Sequence, residues 1–540
     1  MRLKFGKRIY EMEDPIPGAD ELLVRVDQVI PIEYKKHAYH QVFSFKNPIR
    51  KLLFFLWREG FFFTLNKTRT SLLMKKILTE RKLVVVQGYC EERPVLALGP
   101  QDCTRTDTMI FPENLVSPFV TDGDLSRTMS FIINHLKNNE ELFHDLFYYS
   151  PFSGRSIDFN LNVLLRQYNK AESIPEEAPK PFFRASDLNA VKTITRQPDS
   201  STAGDDSDLF VIGAGVYTYS HILPHCQHFR MNTIIDAHSS LAAFVGDKFR
   251  FNHADNSVER GLKRLSDARN PVAIISTYHS SHIPLAEMII ENNPETRIMI
   301  EKPPVTTREQ LLSLVRLRKI QPMIDIGYNR RYAAFTPMAL QILNQMDGPV
   351  TVTCIVKEKS LPMEHWYYWP NEGSRVTGNL SHWIDLGVAF IQQRPVRINA
   401  ISASSRIATD EPAISVIFED SSCLNLIASD RGDSTRGVQE LIDIRKGDLT
   451  IRIDDFIAMD VLCESGGRRI RRRIRDKGHA TMYKKFVENC VQGRGAIYSD
   501  FDLIVSSLLY LDITEILQNG QYTSAVDYSD YLQAESLGSM

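Results

Sequence analysis

Glu301 and Lys302 stand at the end of an apolar run, in the segment RIMIEKPPVTT. The run predicts a buried strand, so the amine of Lys302 lies where the chain leaves the core. Oxidation of an alcohol removes a hydride from carbon while a base takes the hydroxyl proton, and burial can lower the pKa of a lysine enough for it to be that base. Lys302 is therefore a candidate proton acceptor. The alternative is a strand-end lysine whose amine lies in water.

A second pattern, VIGAGVYT, reads as a strand, a glycine turn and the start of a helix. Gly213 permits a tight turn, and Gly215 lets a pyrophosphate approach the backbone at a helix N-terminus. Thr218 takes the place of the third glycine in the usual GxGxxG pattern. About twenty residues further on, Asp236 ends the run TIID, where a carboxylate binds an adenosine ribose and repels the 2′-phosphate of NADP. Together they predict a site for NAD, and the alternative for Asp236 is a plain turn residue.

The composition is that of a soluble globular protein. The 540 residues are 43% hydrophobic and 24% charged, with a formal net charge of −2, which predicts about two to four domains and no overall attraction to nucleic acid. The seven cysteines form no CxxC pair, so neither a disulfide framework nor a metal site is expected. No apolar run reaches the roughly 20 residues of a membrane span, and a cytoplasmic location is expected.

The order of the elements predicts an α/β protein with three domains. Strand-like runs predict a β-rich domain over residues 1–185, whose amphipathic helical insertion at 47–80 packs in a core or interface or contacts a membrane surface. A stretch rich in Pro, Ser and Asp predicts a linker at 186–207. Apolar runs between helical segments predict a parallel sheet over 208–327. Longer alternating strands predict a largely antiparallel open sheet in 328–540, with a returning C-terminal helix.

Four motifs in order, VIGAGVYTYSHILP, IISTYHSSHIPLA, IMIEKPPVTT and IGYNRRY, make the segment from about Asp208 to Leu517 resemble the Gfo/Idh/MocA oxidoreductases. The resemblance implies a Rossmann domain that binds NAD or NADP, of which Asp236 favours NAD, and an α/β domain whose open sheet holds the substrate and often forms an oligomer interface. It implies oxidation or reduction at a hydroxyl or keto carbon of a sugar, a cyclitol or a sugar nucleotide. A homo-oligomer without metal, nucleic acid or membrane span is therefore expected.

The resemblance also implies which residues form the site. Lys302 contacts both substrate and nicotinamide ribose, and Glu301 helps to hold it. The cofactor-binding residues expected in this way are Gly213, Gly215, Val216, Tyr217, Asp236, Thr277, His279, His282, Glu301 and Lys302. The substrate-binding residues expected in this way are Arg330, His365, Trp366, Arg375, Asn379 and His382.

The segment GSRVTGNLSHWIDL departs from the family pattern. Many members carry Asp-x-x-x-His here, with the imidazole as acid/base or substrate partner and the Asp orienting it. His382 matches the His, whereas Gly378 occupies the Asp position. Either Asp385 or a water molecule orients the imidazole instead, or the site has lost part of its catalytic power. The alternative for His382 is a satisfied interior histidine.

Further upstream, LPMEHWYYWPNEGSR and the N-terminal strands resemble a subgroup that has a GroES-like dehydrogenase region ahead of the oxidoreductase half. Genes of this subgroup usually lie with those of polysaccharide-building enzymes. The first 200 residues hold no zinc-ligand set and no GxGxxG, so the region is expected to keep the fold without the chemistry. Arg375 is then a candidate clamp for a phosphate or carboxylate, and His365, Trp366 and Arg375 alternatively pack as loop residues.

The expected function is NAD-dependent oxidoreduction of a sugar or sugar nucleotide in polysaccharide or glycoconjugate biosynthesis. A dinucleotide-binding sensor or scaffold, and an NAD-dependent epimerase or glycosidase on the same fold, are the alternatives. Two clusters are given weaker roles. His221 and His225 have the spacing of metal ligands on a helix but fall in the first helix of the dinucleotide fold. The run RRIRRRIRDKGH from Arg468 predicts an exposed strand, with contact to a phosphorylated substrate or partner as the alternative.

Overall fold

The structure is a computed structural model of the chain. It describes residues 2–5, 8–11, 21–32, 83–91, 93–100, 108–112, 116–118, 207–237, 239–361, 365–368, 371–404, 407–431 and 437–536. The helical insertion predicted at 47–80 and the linker predicted at 186–207, except for its last residue, lie outside these ranges. The chain divides into two compact units, one comprising 1–42, 69–203 and 231–261 and the other comprising 43–68, 204–230 and 262–540.

The N-terminal strands form antiparallel sheets. β1 (Arg2–Phe5) pairs with β2 (Arg8–Glu11). A five-stranded sheet has the order β6–β3–β4–β5–β7, and its strands are β3 (Glu21–Ile32), β4 (Leu83–Cys90), β5 (Arg93–Pro100), β6 (Thr108–Pro112) and β7 (Val116–Pro118). These strands contain the runs ELLVRVDQV, VVVQGYC and RPVLALG, which confirms the β-rich reading for the described residues. The GroES-like resemblance stays a prediction.

A six-stranded sheet follows, built from β8 (Asp208–Ile212), β9 (Arg230–Ile235), β10 (His253–Asp255), β11 (Val272–Ile275), β12 (Arg297–Ile300) and β13 (Ile324–Ile326). Its order is β10–β9–β8–β11–β12–β13, which is the strand order of a doubly wound dinucleotide-binding fold. The pairs β9–β10, β8–β11, β11–β12 and β12–β13 are parallel. Every residue of β8 and β11 is buried, as in a sheet covered on both faces. The predicted Rossmann sheet is confirmed.

The helices of this part of the chain are α1 (Ser239–Phe249), α2 (Val258–Leu262), α3 (His282–Asn292) and α4 (Arg308–Ile320). Short helical turns lie at Thr218–Ile222, Leu223–His225, Lys263–Leu265 and His279–Ser281. α4 begins where the Thr307 hydroxyl accepts a hydrogen bond from the Gln310 backbone N–H at 3.2 Å. Glu309 lies in its first turn and Lys319 in its last, so both charges interact favourably with the helix dipole.

A nine-stranded sheet forms the second layered part, with the order β21–β20–β19–β18–β14–β17–β16–β15–β22. Its strands are β14 (Thr351–Lys357), β15 (Pro395–Ser402), β16 (Pro412–Phe418), β17 (Cys423–Ser429), β18 (Gln439–Lys446), β19 (Leu449–Asp454), β20 (Ala458–Cys463), β21 (Gly466–Arg471) and β22 (Thr523–Ala525). Among these neighbours only β14 and β17 run parallel, so the largely antiparallel sheet is confirmed. β21 is an exposed edge strand, as the arginine run predicts, and edge charges oppose pairing with another chain.

The helices of this part of the chain are α5 (Thr336–Leu343), α6 (Ser381–Ile391), α7 (His479–Val491), α8 (Asp500–Gln518) and α9 (Ser529–Ser536), with short turns at Asn329–Tyr332, Trp366–Tyr368 and Val376–Leu380. Of these helices, α6 packs on β14 and β17, and α8 packs on β15. All residues of α6 are buried, because this helix packs between β14, β17 and α8. α8 is the predicted returning helix and also contacts α4. Along the described part of the chain, no helix is both long and apolar enough to cross a membrane.

Candidate active site

Two glycines build the turn after β8. Gly213 has a φ of 98°, where side chains are rare, and a Cβ there would lie 2.1 Å from the Ser276 carbonyl oxygen. A Cβ on Gly215 would instead have no atom within 4 Å. The Thr218 hydroxyl donates to the Gly213 carbonyl at 2.7 Å, so the residue in place of a third glycine fastens the turn. A loop that is tight at Gly213 and open at Gly215 fits a pyrophosphate.

Three more residues predicted to bind the cofactor follow this turn in the chain. Val216 and Tyr217 begin the helical segment, where Val216 is exposed. Asp236 directly follows β9, is partly exposed, and its backbone N–H donates to the Asp255 carbonyl at 3.1 Å. Its role at a ribose stays a prediction.

Lys302 follows β12 at the carboxyl end of the strand. Its ammonium donates to the backbone carbonyl of Gly378, with 2.7 Å between Nζ and O. Burial lowers the pKa of Lys302, Glu301 opposes this change, and the Arg330 charge adds to it. A lysine with a lowered pKa holds more of its neutral form near pH 7 and can accept a proton.

Glu301 is buried beside Lys302 and is fixed from α7. The hydroxyl of Tyr483 donates to its Oε1, and the same hydroxyl lies 3.4 Å from the hydroxyl of Tyr217. Burial raises the pKa of Glu301, while the Tyr483 hydrogen bond and the Lys302 charge lower it. A Cβ on Gly327 would come within 2.7 Å of this carboxylate, so the glycine of the IGY motif leaves room for Glu301.

His382 lies at the start of α6, and its buried ring has a nitrogen that could bind a ligand. Its side chain is buried, and within the described chain its Nδ1 has no hydrogen-bond partner. Burial lowers the pKa of His382 well below the usual range, and the charges of Arg330 and Lys302 add to the effect. The imidazole is therefore neutral near pH 7. Asn379, one turn earlier, is partly exposed.

Asp385 does not serve as the missing orienting carboxylate. Arg331 donates to it through Nε at 3.0 and 2.9 Å and through Nη2 at 2.7 Å. Tyr498 and Ser506 donate to its Oδ1 at 2.5 and 3.3 Å. The fully buried carboxylate is thereby bound by Arg331, Tyr498 and Ser506. This placement corrects the expectation that Asp385 orients His382, and Asp385 is a structural partner of Arg331.

Arg330 is held beside the site by a carboxylate from β18. Its Nε donates to Glu440 at 2.7 Å, and its guanidinium carbon lies 4.2 Å from the ring centroid of Trp383. Lys477 and the indole N–H of Trp383 also bind Glu440, at 2.6 and 2.7 Å. Burial raises the pKa of Glu440, but Arg330 and Lys477 outweigh it and lower the pKa to about 2. The ion pair with ionised Glu440 thus fixes the position of the Arg330 guanidinium.

Arg375 and Glu358 are two buried charges that are incompletely paired. Arg375 donates to the Lys359 carbonyl at 2.8 Å and to Asp410 at 3.2 Å. Its Nη1 lies 3.9 Å from Glu358. Among the residues described, Arg375 Nη2 and Glu358 Oε1 have no hydrogen-bond partner. Sequence reasoning missed Glu358, although a carboxylate two residues after the strand-like run VTVTCIV was a usable signal.

The motif STYHSSH and the segment HWYY, His365 to Tyr368, meet. His279 is buried, its Nδ1 lies 3.1 Å from the Glu372 carbonyl, and its ring packs edge-on against Trp366 with 4.5 Å between centroids. His365 stacks on Trp366 at 5.8 Å. The structure therefore brings a predicted cofactor segment against a predicted substrate segment.

Thr277 and His282 brace the same segment. The hydroxyls of Thr277 and Ser281 lie 2.7 Å apart. His282 Nδ1 lies 2.9 Å from the Pro303 carbonyl. Burial lowers the pKa of His282 to about 4, so its neutral ring ties α3 to the chain just after Lys302.

The histidines after the glycine turn pack on aromatic rings. His221 stacks on Tyr217 with centroids 4.9 Å apart, and His225 stacks on Tyr483 at 6.5 Å. Throughout the described residues, no group of three or more His, Cys, Asp or Glu side chains is placed to hold a metal ion.

Residues 208–324 match the sequence model of the Gfo/Idh/MocA family, described as an oxidoreductase family with an NAD-binding Rossmann fold. This segment resembles the NAD-binding part of the Gfo/Idh/MocA oxidoreductases. The match confirms the predicted family, the NAD(P)-dependent oxidoreductase class and the NAD cofactor, and it spans the glycine turn, Asp236 and Lys302. The comparison with curated proteins gave no match.

Solved structures of other proteins share the fold of part of this chain. A levoglucosan dehydrogenase in complex with NADH and levoglucosan has a TM-score of 0.52 and 16% identity, over 59% of this chain and 99% of that chain. An aldose-aldose oxidoreductase from Caulobacter crescentus in complex with glycerol gives the same four values, 0.52, 16%, 59% and 99%. An oxidoreductase domain protein from Kribbella flavida has a TM-score of 0.51 and 13% identity, over 60% and 100%. At these identities the likeness is one of fold.

Proposed function

We propose that this oxidoreductase transfers a hydride to or from a hydroxyl or keto carbon of a sugar or sugar nucleotide, with NAD as the preferred cofactor. The observation that carries the proposal is the buried amine of Lys302 at the carboxyl end of β12, held by a neutral carbonyl. In a doubly wound fold, ligands bind at this end of the strands. An amine of lowered pKa at this place suits the removal of a hydroxyl proton.

Each of the principal site residues has a defined task in this proposal. Gly213 and Gly215 receive the pyrophosphate and Asp236 the adenosine ribose, and the bound nicotinamide supplies or accepts the hydride. Neutral Lys302 accepts the hydroxyl proton during oxidation and returns it during reduction. His382 hydrogen-bonds the substrate through its unpartnered Nδ1.

The polar lining supports a substrate rich in hydroxyl groups. Glu358 Oε1 is an acceptor and Arg375 Nη2 a donor, and both are buried without a partner among the described residues. A buried polar group without a partner destabilises a protein by about 1–3 kcal/mol, so a ligand that pairs with both groups gains affinity. One hydroxyl can donate to the first and accept from the second. Two structures of the same fold have levoglucosan or glycerol bound.

Polysaccharide or glycoconjugate biosynthesis is part of the proposal and rests on the resemblance of the LPMEHWYYWPNEGSR segment to the two-part subgroup. The scattered cysteines support a reducing cytoplasm, since Cys226 and Cys354 are buried thiols outside any disulfide.

A homo-oligomer through the nine-stranded sheet is also proposed. Ile355 on β14 is 49% exposed, its register partner Ile427 on β17 is 48% exposed, and Ile401 on β15 is 51% exposed. They lie on the face opposite α6, where apolar side chains of this size favour burial by a second copy. Sedimentation of the full chain tests this, because Ile427→Lys should lower the assembly state and an unchanged state would contradict the interface.

The first experiment measures the melting temperature against rising NADH and, separately, NADPH, because a ligand that binds only the folded state stabilises it. We expect a larger shift with NADH. Assays of NADH formation with aldoses and UDP-sugars then test turnover, with Lys302→Met as the inactive control. The absence of both a melting shift and turnover would contradict the proposal.

The sensor or scaffold remains the second candidate because Gly378 stands where the family has a carboxylate. A sensor binds NADH and gives no product. An epimerase or glycosidase gives product without net NADH, so following the product by mass separates it from the dehydrogenase.

A further inference from the structure

Gly378 does not leave an empty place where the family has its carboxylate. A Cβ at this position would lie 2.9 Å from Cε1 of His279 and 3.0 and 3.1 Å from Cζ and Cε1 of Tyr367. Carbon atoms that are not bonded pack at about 3.5–4.0 Å, so even a methyl group would displace a ring. Two aromatic side chains therefore occupy the space of the missing side chain.

The ring of Tyr367 is held in this space on several sides. It packs edge-on against Trp366 with 4.5 Å between centroids and against His365 at 4.7 Å, and it lies 5.5 Å from His279. Its backbone N–H donates to Nδ1 of His365 at 3.2 Å. The place of the ring is thus set by its neighbours.

The hydroxyl of Tyr367 meets Lys302 at one acceptor. Tyr367 donates to the Gly378 carbonyl at 3.4 Å, and the ammonium of Lys302 donates to the same oxygen at 2.7 Å. A carbonyl oxygen has two lone pairs and can accept both. Tyr367 therefore affects Lys302 indirectly, because both side chains donate to the same carbonyl oxygen.

We propose that Tyr367 is a positioning residue for Lys302: its ring fills the space that a carboxylate side chain at residue 378 would need, and its hydroxyl shares the Gly378 carbonyl with the lysine. The inference rests on the proposed function only in taking Lys302 as the proton acceptor. A neutral phenol thereby stands where relatives have a negative charge.

This substitution affects the charge around the amine. A carboxylate within about 4–6 Å of a lysine favours the ammonium form and shifts a pKa by about 1–3 units, whereas a protonated tyrosine adds no charge. Burial raises the pKa of Tyr367, and Glu358 adds to this, so the phenol stays protonated across the neutral range.

The other charged groups that act on the amine are Glu301, Arg330 and Glu358. The nearby imidazoles of His279, His282 and His382 have lowered pKa values, first because they are buried. They are therefore neutral near pH 7. Without a carboxylate at residue 378, the amine of Lys302 stays neutral down to a lower pH than it would beside that carboxylate.

Labelling by acetic anhydride tests this without any substrate, since only the neutral amine reacts. The acetylation rate of Lys302, followed by mass spectrometry of its peptide against pH, gives its apparent pKa in the full chain. We expect the double variant Tyr367→Ala, Gly378→Asp to raise this pKa by about one unit or more. Tyr367→Phe, which keeps the ring, should raise it by less, because the Gly378 carbonyl then serves the ammonium alone.

A thermal double-mutant cycle tests the steric part. Gly378→Asp alone should lower the melting temperature, and Tyr367→Ala should relieve part of that loss. Tyr368→Phe is the matched control, since the Tyr368 hydroxyl donates to Asp410 at 2.9 Å, and it should leave the Lys302 titration unchanged.

Three results would overturn the inference. They are an unchanged Lys302 pKa in the folded double variant, the same pKa change in the Tyr368→Phe control, and a Gly378→Asp protein that is as stable as the parent. If the double variant does not fold, an unchanged Lys302 pKa in Tyr367→Phe decides against it. Because no turnover is measured, failure here is distinct from failure of the proposed sugar chemistry.

Discussion

The ammonium of Lys302 and the backbone carbonyl of Gly378 are joined by a hydrogen bond of 2.7 Å, although 76 residues separate them in the chain. The bond connects the end of β12, in the Rossmann sheet, to the turn before α6, which packs under the nine-stranded sheet. A carbonyl holds the amine in place without adding a negative charge. The arrangement therefore fixes the direction of the amine and leaves its pKa lowered by burial.

Replacing Lys302 by Met should abolish turnover and spare cofactor binding. General-base groups contribute about 10²–10⁴-fold to rates, so NADH formation with an active sugar should fall by at least about 100-fold. The NADH-induced rise in melting temperature should persist, because the glycine turn and Asp236 are untouched. A Lys302→Met protein with parental turnover would remove Lys302 from the mechanism.

Asp385→Asn and His382→Asn should separate structure from function on one helix. Removing one partner of a buried ion pair destabilises a protein by about 3–5 kcal/mol, and Asp385 is the buried partner of Arg331. His382 Nδ1 has no partner among the described residues, so its replacement should change stability little and turnover strongly. Urea unfolding and NADH formation measure the two effects, and the reverse pattern would contradict both assignments.

Local patterns in the sequence predict the elements that carry this site. VIGAGVYT and RIMIEKP each contain an apolar run and the residue that ends it, so strand, turn and lysine follow from neighbouring residues alone. The alternation of longer strands after Gly327 likewise predicts the antiparallel sheet. These features need no knowledge of distant contacts.

The partners of the site residues were out of reach of sequence reasoning because they lie far away in the chain. Tyr483 hydrogen-bonds Glu301 although 182 positions separate them in the sequence. Arg331 binds Asp385 although 54 positions separate them. Spacing on a helix suggested a His382–Asp385 pair, but a buried arginine binds a buried carboxylate more strongly than a neutral imidazole does. The sequence marks the missing carboxylate at Gly378 but not the ring that fills its place.

Glu440→Gln should destabilise the protein at neutral pH and weaken its loss of stability in acid. The pKa of Glu440 is lowered to about 2 by Arg330 and Lys477 against the effect of burial. A lowered pKa adds to the free energy of unfolding above the ordinary carboxyl range, and this contribution is lost as pH falls through about 2. The loss at pH 7 should be on the order of 3 kcal/mol by urea unfolding.

The matched control for this prediction is Glu419→Gln. Glu419 pairs with Arg394 at 3.1 Å, but the two side chains are 42% and 46% exposed. Exposed pairs contribute about 0–1 kcal/mol, so this variant should unfold at nearly the parental urea concentration. Equal losses in the two variants would show that burial does not strengthen the Glu440 pair.

Asp236→Ser should relax the choice between NADH and NADPH. The carboxylate repels a 2′-phosphate, and a serine hydroxyl removes the charge while keeping a hydrogen-bonding group. Titrations followed by melting temperature should give weaker stabilisation by NADH and stronger stabilisation by NADPH than in the parent. Parental preference in the variant would place the selecting group elsewhere.

Tyr483→Phe should move the pH dependence of the oxidation reaction toward acid. The Tyr483 hydrogen bond stabilises the ionised form of Glu301, so its loss raises the pKa of that carboxyl. A carboxyl that is protonated no longer favours the ammonium of Lys302, and the pKa of Lys302 falls further. The rise of kcat/KM with pH should then begin at lower pH than in the parent.

Tyr528→Phe is the control for a lost tyrosine hydrogen bond. Tyr528 donates to Asp512 at 2.6 Å, and neither residue is among those that shift the pKa of Lys302 or Glu301. The control should lose some stability and keep the parental pH profile. An acid limb of kcat/KM that stays in place in Tyr483→Phe, or moves toward base, would mean that Glu301 does not set the charge of Lys302.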